Sequence, residues 1–164
     1  MGNNAKLVDV VIIGGGLAGL LSAIKLTRTG ISVCLIEKKS YPFHRVCGEY
    51  ISNEVVPYLK SIDAFPEALK PSQINRFELS AISGKNSFLN LDLGGFGVSR
   101  YTFDYFLYEQ ALKSGAIVLL NTEVSQVAFA QDVFEVSFDS QSIKARVVIG
   151  SYGKRSKLDV TLNR

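Results

Sequence analysis

The sequence predicts an α/β fold organised around a largely parallel sheet, and three observations predict it. An almost unbroken β-branched run, Val8, Val10, Val11, Ile12 and Ile13, stops at three consecutive glycines, Gly14 to Gly16. Leu17, Leu20, Leu21, Ile24 and Leu26 then repeat at helical spacing, and a second apolar run, Ile31 to Ile36, ends on Glu37. Much later, three short apolar segments crowd into residues 124–149. A strand buried on both faces reads as a continuous apolar run. Strand, turn, helix and strand in that order form the unit from which parallel sheets are built.

The remaining elements follow in order. Gly30 stops the first helix. Residues Lys38 to Glu49 lack periodicity and are expected to form a loop. Ser52 to Lys60 is expected to be helical, with Pro57 disturbing its start or its straightness. Pro66 and Pro71 punctuate the next connection. Phe77 to Ile82 and Ser87 to Leu93 are expected to pair as strands about Gly84-Lys85-Asn86, and Gly94-Gly95-Phe96-Gly97 to be a flexible lead into Ser99-Arg100. Phe103 to Lys113 is the second clear helix, with Phe103, Phe106, Leu107 and Ala111 on one stripe and Gly115 past its end. Ile117 to Leu120 predicts a short strand. Val124 to Ala130, Val133 to Phe138 and Ile143 to Ile149 predict a β-meander whose last strand rejoins the main sheet.

Composition bounds the function. A chain of 164 residues, 47% hydrophobic and 20% charged, suits one well-buried core with a small appendage. The net charge of +3 is modest, and the densest basic cluster, Lys154-Arg155-Ser156-Lys157, is too short for a nucleic-acid footprint and reads as a solvated loop. The apolar stretch from Val10 to Ile24 is shorter than the ~20 residues a bilayer needs and is broken by glycines, so no transmembrane segment is expected. It lacks the flanks of a signal peptide, and Lys6 stands where myristoylation wants Ser or Thr. With two cysteines, a structural disulfide is not expected and a reducing cytoplasm is the expected compartment. A single histidine, His44, offers no paired-His metal site, and its loop position reads as exposed. Neither Gly-x-Ser-x-Gly nor the Walker lysine pattern occurs.

The chemistry gathers at Gly14-x-Gly16-x-x-Gly19, between the first strand and the first helix. In such a fingerprint the first glycine allows a tight turn, the second lets backbone approach a pyrophosphate, and the third lets helix pack close on strand. The helix N-terminus offers unpaired amides and partial positive charge to phosphates. Glu37, about 20 residues further on, is placed to accept hydrogen bonds from ribose hydroxyls, and its charge disfavours the 2′-phosphate of NADP. A bare β–α turn needs neither a fourth glycine nor an acid at this distance. The fingerprint alone leaves FAD and NAD both open.

The segment from Asp9 through Gly19-Leu20 to Leu35-Ile36-Glu37 resembles the N-terminus of the glutathione-reductase-type FAD superfamily. Three further segments resemble its para-hydroxybenzoate-hydroxylase-like branch, specifically geranylgeranyl reductases. These are Tyr41-Pro-Phe-His-Arg-Val-Cys-Gly-Glu49, then Val98-Ser-Arg100 with Phe103-Asp104 and Leu107, then Ala145 through Gly150-Ser151-Tyr152-Gly153 with Ser156. The resemblance implies a Rossmann-type FAD/NAD(P)-binding fold with parallel sheet, β-meander and part of an inserted substrate-domain sheet, the last at residues 72–99. It implies FAD as cofactor and NAD(P)H as electron donor. It assigns Arg100 to the FAD phosphates or ribose. It extends the cofactor-binding set from Gly14, Gly16, Gly19 and Glu37 to Leu17, Ala18, Lys38, Arg45, Cys47, Gly48, Val124, Ser151 and Gly153.

The chain departs from the family where Tyr152 replaces an Asp and where Asp159 stands at a commonly basic position. Family members also continue with a Gly-Asp motif that has no counterpart after Gly150, so the chain is expected to be the N-terminal part of such a protein. Cys47 either lines the flavin or substrate cavity, with a catalytic role open to it, or is an unreactive loop thiol. Cys34, mid-strand, reads as core.

Three functions remain open from the sequence. The first is an FAD-dependent oxidoreductase acting on a hydrophobic or aromatic small molecule, as a reductase of isoprenoid-like double bonds, a monooxygenase or a halogenase. The Trp-x-Trp-x-Ile-Pro segment of halogenases is not in this chain, which has no tryptophan. The second is an NAD-binding dehydrogenase domain, which would give Arg100 and the Cys47 loop no role. The third is a non-catalytic nucleotide-binding fragment.

Overall fold

The computed structural model describes residues 7–153, together with Ser156 and Leu158. Lys154, Arg155, Lys157 and Asp159 lie outside the described residues, as do Met1, Gly2 and Lys6. The chain divides into two compact units, one of residues 1–43 and 107–164 and one of residues 44–106.

The first unit holds a six-stranded sheet. Its strands are β1 (Leu7–Ile13), β2 (Val33–Ile36), β6 (Ile117–Leu119), β7 (Val124–Ala130), β8 (Val133–Phe138) and β9 (Gln141–Gly150), in the order β6-β2-β1-β9-β8-β7. β1 pairs in parallel with β2 on one side and β9 on the other, and β6 adds in parallel to β2. β7, β8 and β9 form the antiparallel meander, whose last strand returns beside β1 as the sequence predicts.

The central position of β1 explains its composition. Val11 and Ile12 are fully buried, and burying each such side chain contributes about 1.5–3 kcal/mol. Helix α1 (Leu17–Arg28) buries Gly19, Leu20, Ala23 and Ile24. A second apolar layer joins Val8, Val11, Cys34, Ile36, Val136, Phe138 and Ala145. Cys34 is core, as the sequence predicts.

The second unit is built on a three-stranded antiparallel sheet, in the order β3-β5-β4, from β3 (Tyr50–Ser52), β4 (Ser72–Ser80) and β5 (Asn86–Gly97). Beside it lies the short helix α2 (Val56–Ser61), preceded by a single 3-10 turn over Asn53–Val55. Leu59, Ile62, Ala64 and Phe96 are its buried centre, with Phe65 meeting Phe96 edge-on at 5.5 Å. Helix α3 (Arg100–Lys113) starts in this unit and ends in the first.

Several boundaries differ from the sequence expectation, each for a local reason. The helix expected from Ser52 begins its α-turns only at Val56, which puts Pro57 in the first turn where its missing N–H costs nothing. The stretch Gly94 to Gly97, expected to be flexible, is the end of β5, flanked by β3 and β4. Gly95 is there for space: a Cβ on it would overlap the Tyr50 ring. Helix α3 starts three residues earlier than expected. Ser99 sits before it, its carbonyl accepting from the Phe103 N–H at 2.9 Å and its hydroxyl from the Tyr101 N–H at 3.3 Å.

Candidate functional site

The glycine loop of the first unit has its peptide groups pinned one after another. The Gly14 N–H donates to the Ile36 carbonyl at 2.8 Å. The Gly14 carbonyl accepts from the Ser151 hydroxyl at 2.7 Å, and that hydroxyl also reaches the Ile13 carbonyl at 3.1 Å. The Gly15 N–H donates to Glu37 Oε2 at 2.8 Å, while Glu37 Oε1 accepts from the Lys39 N–H at 3.0 Å. The Gly16 carbonyl takes the first helical bond, from Leu20 at 2.9 Å.

Each glycine of the fingerprint has its own steric reason. Gly14 has φ +103°, a conformation that favours glycine, and a Cβ there would meet the Ser151 backbone at 2.7 Å. A Cβ on Gly19 would overlap the Gly14 carbonyl oxygen, so this glycine brings α1 onto the end of β1. At Gly16 a Cβ would meet nothing within 4 Å, and its φ of −80° suits any residue. Gly16 is the N-cap of α1 without a side-chain cap, and no acidic residue lies in the first turn. The fold therefore gives no internal reason for glycine at this one position, and the first amides of α1 are left to be satisfied from outside.

Glu37 is only 5% exposed, yet it lies at the carboxyl end of β2 beside this loop. Lys38 next to it is exposed. Of the wider set implied by resemblance, Leu17 is half-buried and Ala18 exposed on the first turn of α1. The hydroxyl of Ser151 faces the loop carbonyls, Gly153 is exposed with φ +76°, and Val124 packs its side chain into the apolar cluster with Val136 and Phe138.

A second group of the residues implied by resemblance lies in the other unit. Asp104, 1% exposed, receives Arg100 as a bidentate partner, Nε at 2.6 Å on one oxygen and Nη2 at 2.9 Å on the other. Arg45 Nε lies 3.1 Å from the same carboxylate. Burial works against the charge on Arg100, but hydrogen bonding and attraction to Asp104, with Cys47 adding to both, hold its guanidinium above its ordinary value. Cys47 and Gly48 are exposed, and the Cys47 sulfur accepts from the Glu49 N–H at 3.4 Å. His44 is exposed and stacks on Tyr101 at 4.6 Å.

Two residues of the segments that carry the resemblance were given no role of their own in the sequence reading of the site. Asp104 stands four residues after Arg100, the helical ion-pair spacing, which is a signal the sequence did offer. Tyr41 hydrogen-bonds the glycine loop from 26 residues away, a contact that no local pattern announces.

A parallel β-α-β unit, a pinned glycine turn opening a helix and a carboxylate at the end of the next strand define a dinucleotide-binding α/β domain. The chain belongs to the FAD binding domain family, which it matches over residues 7–163. Over 96% of its length it is 28% identical to an uncharacterised protein of Methanosarcina barkeri, of which it covers 40%. Over 92% it is 29% identical to digeranylgeranylglycerophospholipid reductase 3 of Methanosphaera stadtmanae, again covering 40% of that protein. The crystal structure of halogenase PltM with phloroglucinol and FAD superposes with a TM-score of 0.79 at 23% identity, over 95% of this chain and 36% of that one. The chain thus spans well under half the length of these relatives. The fold is the Rossmann-type fold of FAD-binding flavoproteins, and FAD is the cofactor of the family. The loop fits that group, since open space over Gly16 and uncapped amides are what a bound diphosphate requires.

Proposed function

We propose that this chain forms the FAD-binding portion of an FAD-dependent oxidoreductase acting on a hydrophobic or aromatic small molecule, with NAD(P)H as electron donor. The carrying observation is the glycine loop, whose fixed peptides end in a first helical turn with unfilled space over Gly16. In this reading Gly14, Gly16, Leu17, Ala18 and Gly19 supply backbone to the diphosphate, and Glu37 and Lys38 lie at the ribose. Arg45, Cys47, Gly48, Arg100, Val124, Ser151 and Gly153 complete the set proposed to serve the cofactor. Residues 72–99 are read as part of a substrate domain, within a chain whose residues 1–164 otherwise serve FAD.

Bound there, FAD would supply two-electron redox chemistry, while the protein supplies binding, orientation and electrostatics. The chain's own part is to neutralise the diphosphate with amides and helix dipole, and to grip the sugar with a carboxylate already fixed by two backbone donors. Similarity to a digeranylgeranylglycerophospholipid reductase supports the reduction of isoprenoid-like double bonds; a flavin monooxygenase-like or halogenase-like activity is the alternative.

The test is retention of flavin colour. Protein soaked in FAD and desalted is expected to keep the visible flavin bands. Gly16→Val should stay folded, because its φ and surroundings admit a side chain, yet lose at least about tenfold in FAD affinity. A colourless wild-type protein, or a Gly16→Val variant with undiminished affinity, overturns the assignment.

A further inference from the structure

The Gly15 peptide unit is held from both sides. Its N–H is taken by Glu37, and its carbonyl accepts a hydrogen bond from the Tyr41 hydroxyl at 2.5 Å. The Tyr41 ring is itself fixed by stacking on Tyr108 of α3, with centroids 4.8 Å apart and planes at 21°, and by Phe43 at 5.5 Å. All of these residues belong to the first unit.

Peptide geometry gives this contact a consequence. Across a trans peptide the carbonyl and the following N–H point in opposite directions. Capturing the Gly15 carbonyl on the Tyr41 side therefore turns the Gly16 N–H to the other side. The Gly15–Gly16 peptide is also among the easiest in the chain to flip, because neither flanking residue has a Cβ to restrict it. Flipped, it would present a carbonyl oxygen where the N–H had been, and an oxygen dipole repels an anion. The hydroxyl of Tyr41 opposes that flip directly. Its position also explains Gly15, where a Cβ would overlap the Tyr41 oxygen.

We propose that Tyr41 is a positioning residue of the diphosphate cradle, its hydroxyl holding the Gly15 carbonyl so that the Gly16 N–H stays aimed at the phosphates. The inference rests on the reading of the glycine loop as the nucleotide site. Tyr41 meets the loop at the Gly15 carbonyl, the peptide that aims the Gly16 N–H, so its effect should fall on ligands that carry a diphosphate.

The experiment compares ADP with adenosine on the full chain, wild type against Tyr41→Phe, by calorimetric or NMR titration. The phenylalanine keeps the stack on Tyr108 and removes only the hydroxyl. ADP affinity is expected to fall about three- to tenfold, the range of one neutral hydrogen bond, while adenosine affinity stays unchanged. The Gly16 amide resonance should also lose most of its ADP-induced shift. Unchanged ADP affinity in Tyr41→Phe overturns the proposal. So does an equal loss for adenosine, which would mark Tyr41 as a general structural prop, and so does a gain in ADP affinity, which would mark it as an obstruction. A wild-type chain that binds no ADP removes the nucleotide-site reading itself, and this inference with it.

Discussion

Asp104 shows how much one buried carboxylate can decide. It is 1% exposed and faces two guanidiniums, Arg100 in a fork and Arg45 from 3.1 Å. A carboxylate this far from water is stable only because those charges and hydrogen bonds replace its hydration. Removing it leaves two cations facing each other, though Arg45, 31% exposed, can turn toward solvent. Asp104→Ala is therefore expected to cost about 3 kcal/mol, the low end of what breaking a buried ion pair costs. Urea unfolding measures this directly, and a loss below about 1 kcal/mol would show that the cluster adds nothing to stability. Glu37 invites the opposite caution. Its oxygens anchor the Gly15 and Lys39 amides, so a Glu37 variant that loses nucleotide could do so by releasing the loop. Gly16, with open space around it, is the cleaner probe.

At the level of elements, legibility followed sequence distance. The Gly14–Gly19 turn, α1 and the meander could be read because each is set by neighbours within a few residues. β7 and β8 cover the residues expected of them, Val124–Ala130 and Val133–Phe138, whereas the helix expected from Ser52 begins only at Val56, with Pro57 in its first turn. What could not be read depends on partners far along the chain. The glycines at 94–97 look flexible until β3 and β4 are known to flank them, and Tyr50–Ser52 is a strand only through its pairing with Gly95–Gly97. The Tyr41 grip on Gly15 belongs to the same class.

A further long-range tie ties β1 to the lead-in of β2. Asp9 accepts hydrogen bonds from the Ser32 hydroxyl and N–H, at 2.5 and 3.0 Å, and meets Arg146 of β9 at 3.4 Å. Chiefly the Ser32 hydroxyl, then its amide and Arg146, hold the Asp9 carboxyl below its ordinary value. A lowered folded-state value means the stabilisation is complete above the ordinary carboxylate range, about pH 4, and is lost as pH falls through the folded value. The gap in Tm between wild type and Asp9→Asn should therefore close on acidification below about pH 4. A gap that stays constant down to the acid limit of folding would deny the tie any ionic character.

For the whole molecule, the division of the chain makes a claim about which half of the cofactor matters here. The glycine loop, Glu37, Lys38 and Tyr41 all belong to the first unit, and together they offer amides, a helix dipole and a carboxylate. These are partners for a diphosphate and a ribose, and none is suited to an isoalloxazine ring. ADP, which carries both features, should then protect the chain against unfolding nearly as well as FAD does at equal concentration. A ligand that binds only the folded state at 100 times its Kd adds about 2.7 kcal/mol. FMN carries the ring and one phosphate but neither the adenosine nor the diphosphate, and should add little. Thermal midpoints with ADP, FAD and FMN decide the matter. Hydrogen exchange should slow with ADP at residues 14–19 and 36–39. Protection by FMN equal to that by ADP would move the binding energy away from the glycine loop. It would leave Gly14, Gly16 and Gly19 as a turn and nothing more.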